Sequence, residues 1–73
     1  MKIRCDIEGL DCAHCAAKLE GLLAKAFNGA NLNYSMGSLV LEAEDGCDED
    51  EAVALANRIA ADFEDGISIT LRD

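Results

Sequence analysis

Polar and apolar residues alternate strictly from Lys2 to Glu8, with Ile3, Cys5 and Ile7 on one side and Arg4, Asp6 and Glu8 on the other. A period of two predicts a strand with one buried face. Gly9-Leu10-Asp11-Cys12 breaks the alternation and predicts a loop. From Ala13 the period becomes helical: Ala16, Leu19, Leu23 and Ala26 share one stripe, Leu22 sits at its edge, and Lys18 and Lys25 point away. Asn28-Gly29 is expected to end this helix, with glycine in the left-handed position after the last turn. A second strand is expected over residues 30–35, a tight turn at Met36-Gly37-Ser38, and a third strand over residues 39–44 with Leu39, Leu41 and Ala43 inward. Asp48 followed by Glu51 reads as a capping-box start to a second helix. That helix runs to about Phe63, with Val53, Ala56, Ile59, Ala60 and Phe63 inward. Asp65-Gly66 turns the chain into a last strand carrying Ile67, Ile69 and Leu71.

The order β-α-β-β-α-β, without a linker, predicts one domain over residues 1–73. Its class is α+β: a ferredoxin-like, four-stranded antiparallel sheet with two helices on one face. In that topology the loop after the first strand, the turn at residues 36–38 and the loop at residues 63–66 share one end of the sheet. Gly46 and Cys47 lie at the other end. With 73 residues, a domain buries only about 60% of its unfolded surface, so the core is thin. Twelve alanines within a 51% apolar composition imply helices packed closely on the sheet rather than a roomy ligand cavity.

Six basic against fifteen acidic side chains give a net charge of −9. Such a surface disfavours nucleic acid, which needs clustered Lys and Arg, and disfavours direct contact with anionic membranes. It leaves a cation or a basic protein as partner. Seven acidic residues fall between Glu42 and Glu51; they read as a solvated loop and favourable charge at a helix start, or as a docking surface for a basic partner. No apolar run approaches the roughly 18 residues of a membrane span, and the first residues lack the apolar core of a signal peptide. The expected location is therefore cytoplasmic, the expected state a monomer.

In a reducing compartment the four cysteines are not a disulfide framework. Cys12 and Cys15 form a C-x-x-C pair at the start of the first helix, whereas Cys5 and Cys47 stand alone. The three-residue spacing places both sulfurs on one side of the first turn. Free N–H groups and the positive end of the helix dipole favour the thiolate there, and thiolates select Cu(I) and Zn-like ions over Mg or Ca.

The stretch Gly9-Leu10-Asp11-Cys12-Ala13-His14-Cys15-Ala16-Ala17-Lys18-Leu19-Glu20 resembles the metal-binding motif of heavy-metal-associated domains. These are found as free metallochaperones and as N-terminal domains of metal-transporting P-type ATPases. The resemblance extends over the chain, through Gly29, Asn33-Tyr34 and Leu39-Val40-Leu41. It implies the same fold and the transport, delivery or sensing of one heavy-metal ion, not catalysis. Expected partners are other domains of such an ATPase, a metallochaperone or a target protein. Copper-binding members usually carry threonine before the first cysteine, whereas Asp11 here resembles the Zn(II), Cd(II) and Pb(II) branch. The physics points the same way: Cu(I) is satisfied by two sulfurs, whereas Zn(II) prefers four ligands and gains from a carboxylate. The acidic loop Phe63-Glu64-Asp65-Gly66, where copper-binding members often have Lys or Tyr, would repel an anionic Cu(I) bis-thiolate. A dication is thus the first expectation and a Cu(I) metallochaperone the alternative.

Asp11 reads equally as a helix cap. His14, between the cysteines, could offer a nitrogen, but its place in the turn points it to solvent. Cys5 is expected to be a core residue, Cys47 an exposed inert thiol, and Leu10 an apolar peg beneath the loop. A thiol–disulfide oxidoreductase also uses C-x-x-C before a helix. The chain is short for that fold and has no proline, where the oxidoreductase family relies on a cis-proline. A regulatory module of this fold that binds an amino acid or another domain would leave the C-x-x-C pair unexplained. Asp11 and the acidic character favour an N-terminal ATPase domain over a free protein.

Overall fold

The computed structural model describes residues 1–72. The element order is β1 (Lys2–Glu8), α1 (Ala13–Ala26), β2 (Gly29–Asn33), β3 (Ser38–Glu42), α2 (Glu49–Phe63) and β4 (Ser68–Leu71). The strands form one sheet in the order β2-β3-β1-β4, every neighbouring pair antiparallel. This is the expected ferredoxin-like α+β arrangement.

β1 lies inside the sheet because alternation gives it a continuous apolar row. Ile3 faces Leu41, Cys5 faces Leu39 and Ile7 faces Ile69 across the ladders. All six are buried, at 4% exposure or less. Leu19 and Leu23 of α1 close over this row. Each fully buried leucine or isoleucine contributes about 2 kcal/mol of transfer free energy. From α2 the contribution is smaller and of a different kind. Ala52, Ala56 and Ala60, spaced by one helical turn, lie buried on the sheet, and their size lets the backbone approach. Val53, Ile59 and Phe63 flank that stripe half-buried. Asp48 caps α2, its Oδ1 accepting from the Asp50 N–H at 2.9 Å, and Glu49, Asp50 and Glu51 put negative charge at the positive end of the helix.

Several boundaries differ from the sequence expectation. α1 stops at Ala26, and Phe27 adopts an extended backbone while its N–H still bonds the Leu23 carbonyl at 3.0 Å. Leaving the helix early packs Phe27 against the core, so Ala26 is exposed rather than inward. Gly29 is not a left-handed cap: it opens β2 opposite Glu42, and the Asn28 N–H already bonds Glu42. The turn between β2 and β3 spans residues 34–37, and the hairpin strands are shorter than their alternation suggested. Leu71 is 36% exposed, at the end of the edge strand β4.

Both sheet edges are closed in mid-strand by a helix side chain. On β2, the Leu32 N–H donates to Glu20 Oε2 of α1 at 2.6 Å. On β4, Asn57 of α2 imitates a neighbouring strand. Its Oδ1 accepts from the Ile69 N–H at 2.9 Å, and its Nδ2 donates to the Ile69 carbonyl at 2.8 Å and to the Val53 carbonyl at 3.1 Å. These bonds satisfy groups that would otherwise invite another strand. Asn57→Ala is expected to lower stability by about 1–3 kcal/mol and to speed hydrogen exchange at the Ile69 amide. Urea unfolding with amide exchange measures both; unchanged values would mean that the Asn57 bridge adds nothing to the fold.

Candidate metal centre

β1 delivers the chain to Gly9, whose backbone is left-handed (φ 93°). A Cβ at this position would stand 2.1 Å from the Gly66 carbonyl oxygen, so glycine alone lets the two loops meet. Beyond it Leu10 packs half-buried against the core, fixing the loop from below as expected. The β2–β3 turn joins the same end, the Ile7 N–H donating to the Gly37 carbonyl at 2.9 Å.

α1 is capped in an unexpected way. The N-cap is Cys12, in extended conformation (φ −156°, ψ 156°), and its own Sγ accepts from the Cys15 N–H at 3.2 Å. Asp11 is therefore not the cap, and stands exposed one residue earlier. The sequence concealed this because cysteine is not among the usual capping residues. The Cys15 thiol turns back to donate to the same sulfur, with Sγ–Sγ 2.9 Å. All four cysteines are free thiols.

The arrangement divides the two sulfurs electrostatically. Cys12 is held below the ordinary thiol pKa, first by the hydrogen bond from the Cys15 thiol and then by the Cys15 N–H. Cys15 is pushed up, because it must give up the proton it donates to Cys12, and secondarily by desolvation and by charge at Cys12 and Glu64. Lys18 opposes that rise. Deprotonation therefore begins at Cys12, the sulfur in contact with the helix N–H groups. Both sulfurs are half-exposed, open to a reagent or an ion.

The remaining candidates fall elsewhere or apart. His14 is exposed. Among the described residues no three His, Cys, Asp or Glu side chains stand close enough together to share one ion, so Asp11 and His14 are not gathered with the sulfurs. Cys5 is buried at 1% exposure, and burial followed by the charges of Asp6 and Glu49 raises its pKa; it is the inert core residue expected. Cys47 lies at the far end of the sheet as topology required. It is half-buried against the core rather than exposed, and its thiol donates to the Asp48 carbonyl at 3.7 Å. A groove of about 430 Å³ also lies at that far end, lined in part by Phe27, Asp45, Cys47 and Leu55. Neither Cys12 nor Cys15 lines that groove. No described helix is long and apolar enough to cross a membrane.

No family model matches the sequence, and no curated protein is significantly similar to it. Solved structures do match the fold. The N-terminal domain of a potential copper-translocating P-type ATPase from Bacillus subtilis, in its Cu(I)-loaded state, superposes with a TM-score of 0.69 at 23% identity. The match covers 96% of this chain and 84% of that one. A structure from work on crosstalk between Cu(I) and Zn(II) homeostasis gives 0.71 at 19% identity, covering 99% and 98%. A yeast copper transporter domain, solved in apo and Cu(I)-loaded states, gives 0.69 at 9% identity, covering 99% and 94%. At these identities the likeness establishes a shared fold over nearly the whole chain.

Proposed function

We propose that the chain is a heavy-metal-associated domain that carries one soft metal ion between Cys12 and Cys15, and that the ion is Cu(I). The observation that carries this reading is the sulfur pair itself: two thiols 2.9 Å apart at an exposed helix start, with no third donor gathered beside them. Two sulfurs complete the shell of Cu(I) but leave Zn(II) two ligands short. The solved structures of like fold are described with Cu(I) in each case, and one also with Zn(II) homeostasis. The preference for Zn(II), Cd(II) or Pb(II) drawn from Asp11 and the acidic loop therefore gives way to Cu(I). On this reading the domain does no catalysis. It acts in the cytoplasm, as a free metallochaperone or as part of a metal-transporting P-type ATPase, and hands its ion to a partner of that kind. Nothing in the fold supplies the oxidoreductase alternative with the cis-proline that such a C-x-x-C site uses, since the chain has no proline.

Two metal–sulfur bonds of about 2.3 Å each, set in a line through one ion, together span more than the 2.9 Å between the sulfurs, so loading must move the sulfurs apart. The Cys15 thiol loses its proton and its bond to Cys12, and the Cys15 N–H remains to stabilise the loaded Cys12 thiolate. The rest of the domain needs no metal to hold it, because its core is formed by the two helices and the sheet. Chelation is expected to leave far-UV circular dichroism unchanged, unlike zinc fingers.

Competition titration tests the reading directly. One Cu(I) per chain is expected, Cys12→Ser or Cys15→Ser should each lower affinity at least about a hundredfold, and Cys47→Ser should change little. Equal loss in the Cys47 variant would refute the assignment to the helix start.

Asp11 decides the metal class. On a two-sulfur Cu(I) site, Asp11→Ala and Asp11→Asn should leave Cu(I) affinity within about threefold. A loss of Zn(II) and Cd(II) affinity of about tenfold or more in both variants, with Cu(I) unaffected and the dications binding the parent more tightly, would restore the dication reading.

A further inference from the structure

The end of the sheet away from the thiols is concave. α1 closes there with Ala26 and Phe27, β3 gives way to Ala43, and the loop to α2 carries Glu44, Asp45, Gly46 and Cys47. With Leu55 of α2 these residues line the groove of about 430 Å³. Phe27 and Cys47 are half-buried in it, and Leu55 keeps 41% of its surface open. A second groove of about 240 Å³, lined by Glu51, Ala54 and Arg58, shares Leu55 with the first. An apolar floor is thus open on both sides of one leucine.

The wall beside that floor is acidic. Glu44, Asp45, Asp48, Glu49, Asp50 and Glu51 are all exposed, whereas no lysine or arginine lines the larger groove. Among the described residues this stretch makes one ion pair, Asp45 with the Met1 amine at 3.6 Å. Charge at the start of α2 serves the helix for residues 48–51, but Glu44 and Asp45 stand outside the helix and line the groove itself. The backbone around the groove is already paired. The Asn28 N–H bonds the Glu42 carbonyl, the Ala43 N–H bonds the Met1 carbonyl, the Ala43 carbonyl accepts from the Met1 amine, and the Cys47 N–H bonds the Glu44 carbonyl. An extended peptide therefore finds few backbone partners here. A helix satisfies its own backbone and needs only side-chain contacts.

We propose that this groove is a docking site for a basic amphipathic helix of a partner protein, its apolar side chains packed on Phe27 and Leu55 and its Lys or Arg side chains set against Glu44, Asp45 and Glu51. Charge complementarity selects this occupant, because a chain of net charge −9 repels a second copy of itself. Docking here stands apart from the metal chemistry. Neither Cys12 nor Cys15 lines the groove, so a partner held there leaves both sulfurs uncovered.

The test uses the metal-free full chain and a synthetic fluorescent peptide of about fourteen residues, with leucines at helical spacing on one face and lysines on the other. A Kd on the order of 10–100 µM is expected at low salt, weakening about tenfold at high salt. Leu55→Ser should weaken binding about fivefold or more, and so should Glu44→Gln combined with Asp45→Asn, which should also flatten the salt dependence. All three positions are exposed, and thermal melts check that the variants fold as the parent does. Amide shift changes on binding should fall on Phe27, Gly46, Cys47 and Leu55 and not on Cys12 or Cys15. Cys12→Ser should bind the peptide as the parent does, which separates this result from the fate of the metal reading. Absence of binding at about 1 mM peptide, or unaltered affinity in the Leu55 and Glu44/Asp45 variants, would overturn the proposal. Equal binding by peptides with glutamate for lysine or serine for leucine would do so as well, as would shift changes centred on Cys12. A dimer of the parent chain that Leu55→Ser dissolves, seen by sedimentation, would make the occupant a second copy and overturn it too.

Discussion

The buried row of Ile3, Cys5 and Ile7 along β1 is the constraint on which the rest of the domain depends. Because these side chains share one face, β3 and β4 must pair with β1 in the register that stacks Leu39, Leu41 and Ile69 beside them. A slip of one residue would turn the whole row to solvent. Both helices then have one surface on which to bury Leu19, Leu23 and the alanines of α2. The same register fixes where β1 ends, and so where Gly9 meets Gly66 and where α1 begins. The thiols sit at the end of this chain of dependence: their position is set by the sheet, while their chemistry is set locally.

Cys12 joins these two levels. Its sulfur caps α1, accepting from the Cys15 N–H, and is also the sulfur whose proton leaves first. A thiolate at that point keeps an acceptor in place at the helix end where unpaired N–H groups and the dipole favour negative charge. The structural role and the proposed metal role therefore ask for the same ionisation state. Around it the protein adds little positive charge: Lys18 is the cation whose influence reaches Cys15, and Glu64 opposes it. Both sulfurs are thus half-exposed in a setting whose nearby negative charge opposes their ionisation.

Much of this was legible in the residues. Strict alternation located β1 to the residue, and the helical stripe of Ala16, Leu19 and Leu23 gave the buried face of α1. The element order then gave the fold and put Cys47 at the end away from the C-x-x-C pair. What escaped was decided by packing between segments distant in sequence. Phe27 ends α1 early because the core accepts its ring, which no local pattern announces. Asn57 reads as an ordinary polar helix residue until Ile69 is beside it. Ala52 joins the buried stripe because α2 approaches through its smallest side chains. At the site, the spacing of Cys12 and Cys15 revealed the pair, but not that Cys12 would displace Asp11 from the cap. The acidity of residues 64 and 65 was plain, whereas the burial of Glu64 Oε2 depended on how two loops meet.

In the proposed metal site, two cysteine sulfurs and no other protein atoms hold one Cu(I) ion at the start of α1. X-ray absorption at the copper edge of the loaded chain measures the donor set directly. Two sulfur scatterers per copper, and no nitrogen or oxygen from the protein, are expected. Nitrogen or oxygen scatterers from His14 or Asp11, or a third sulfur, would contradict it.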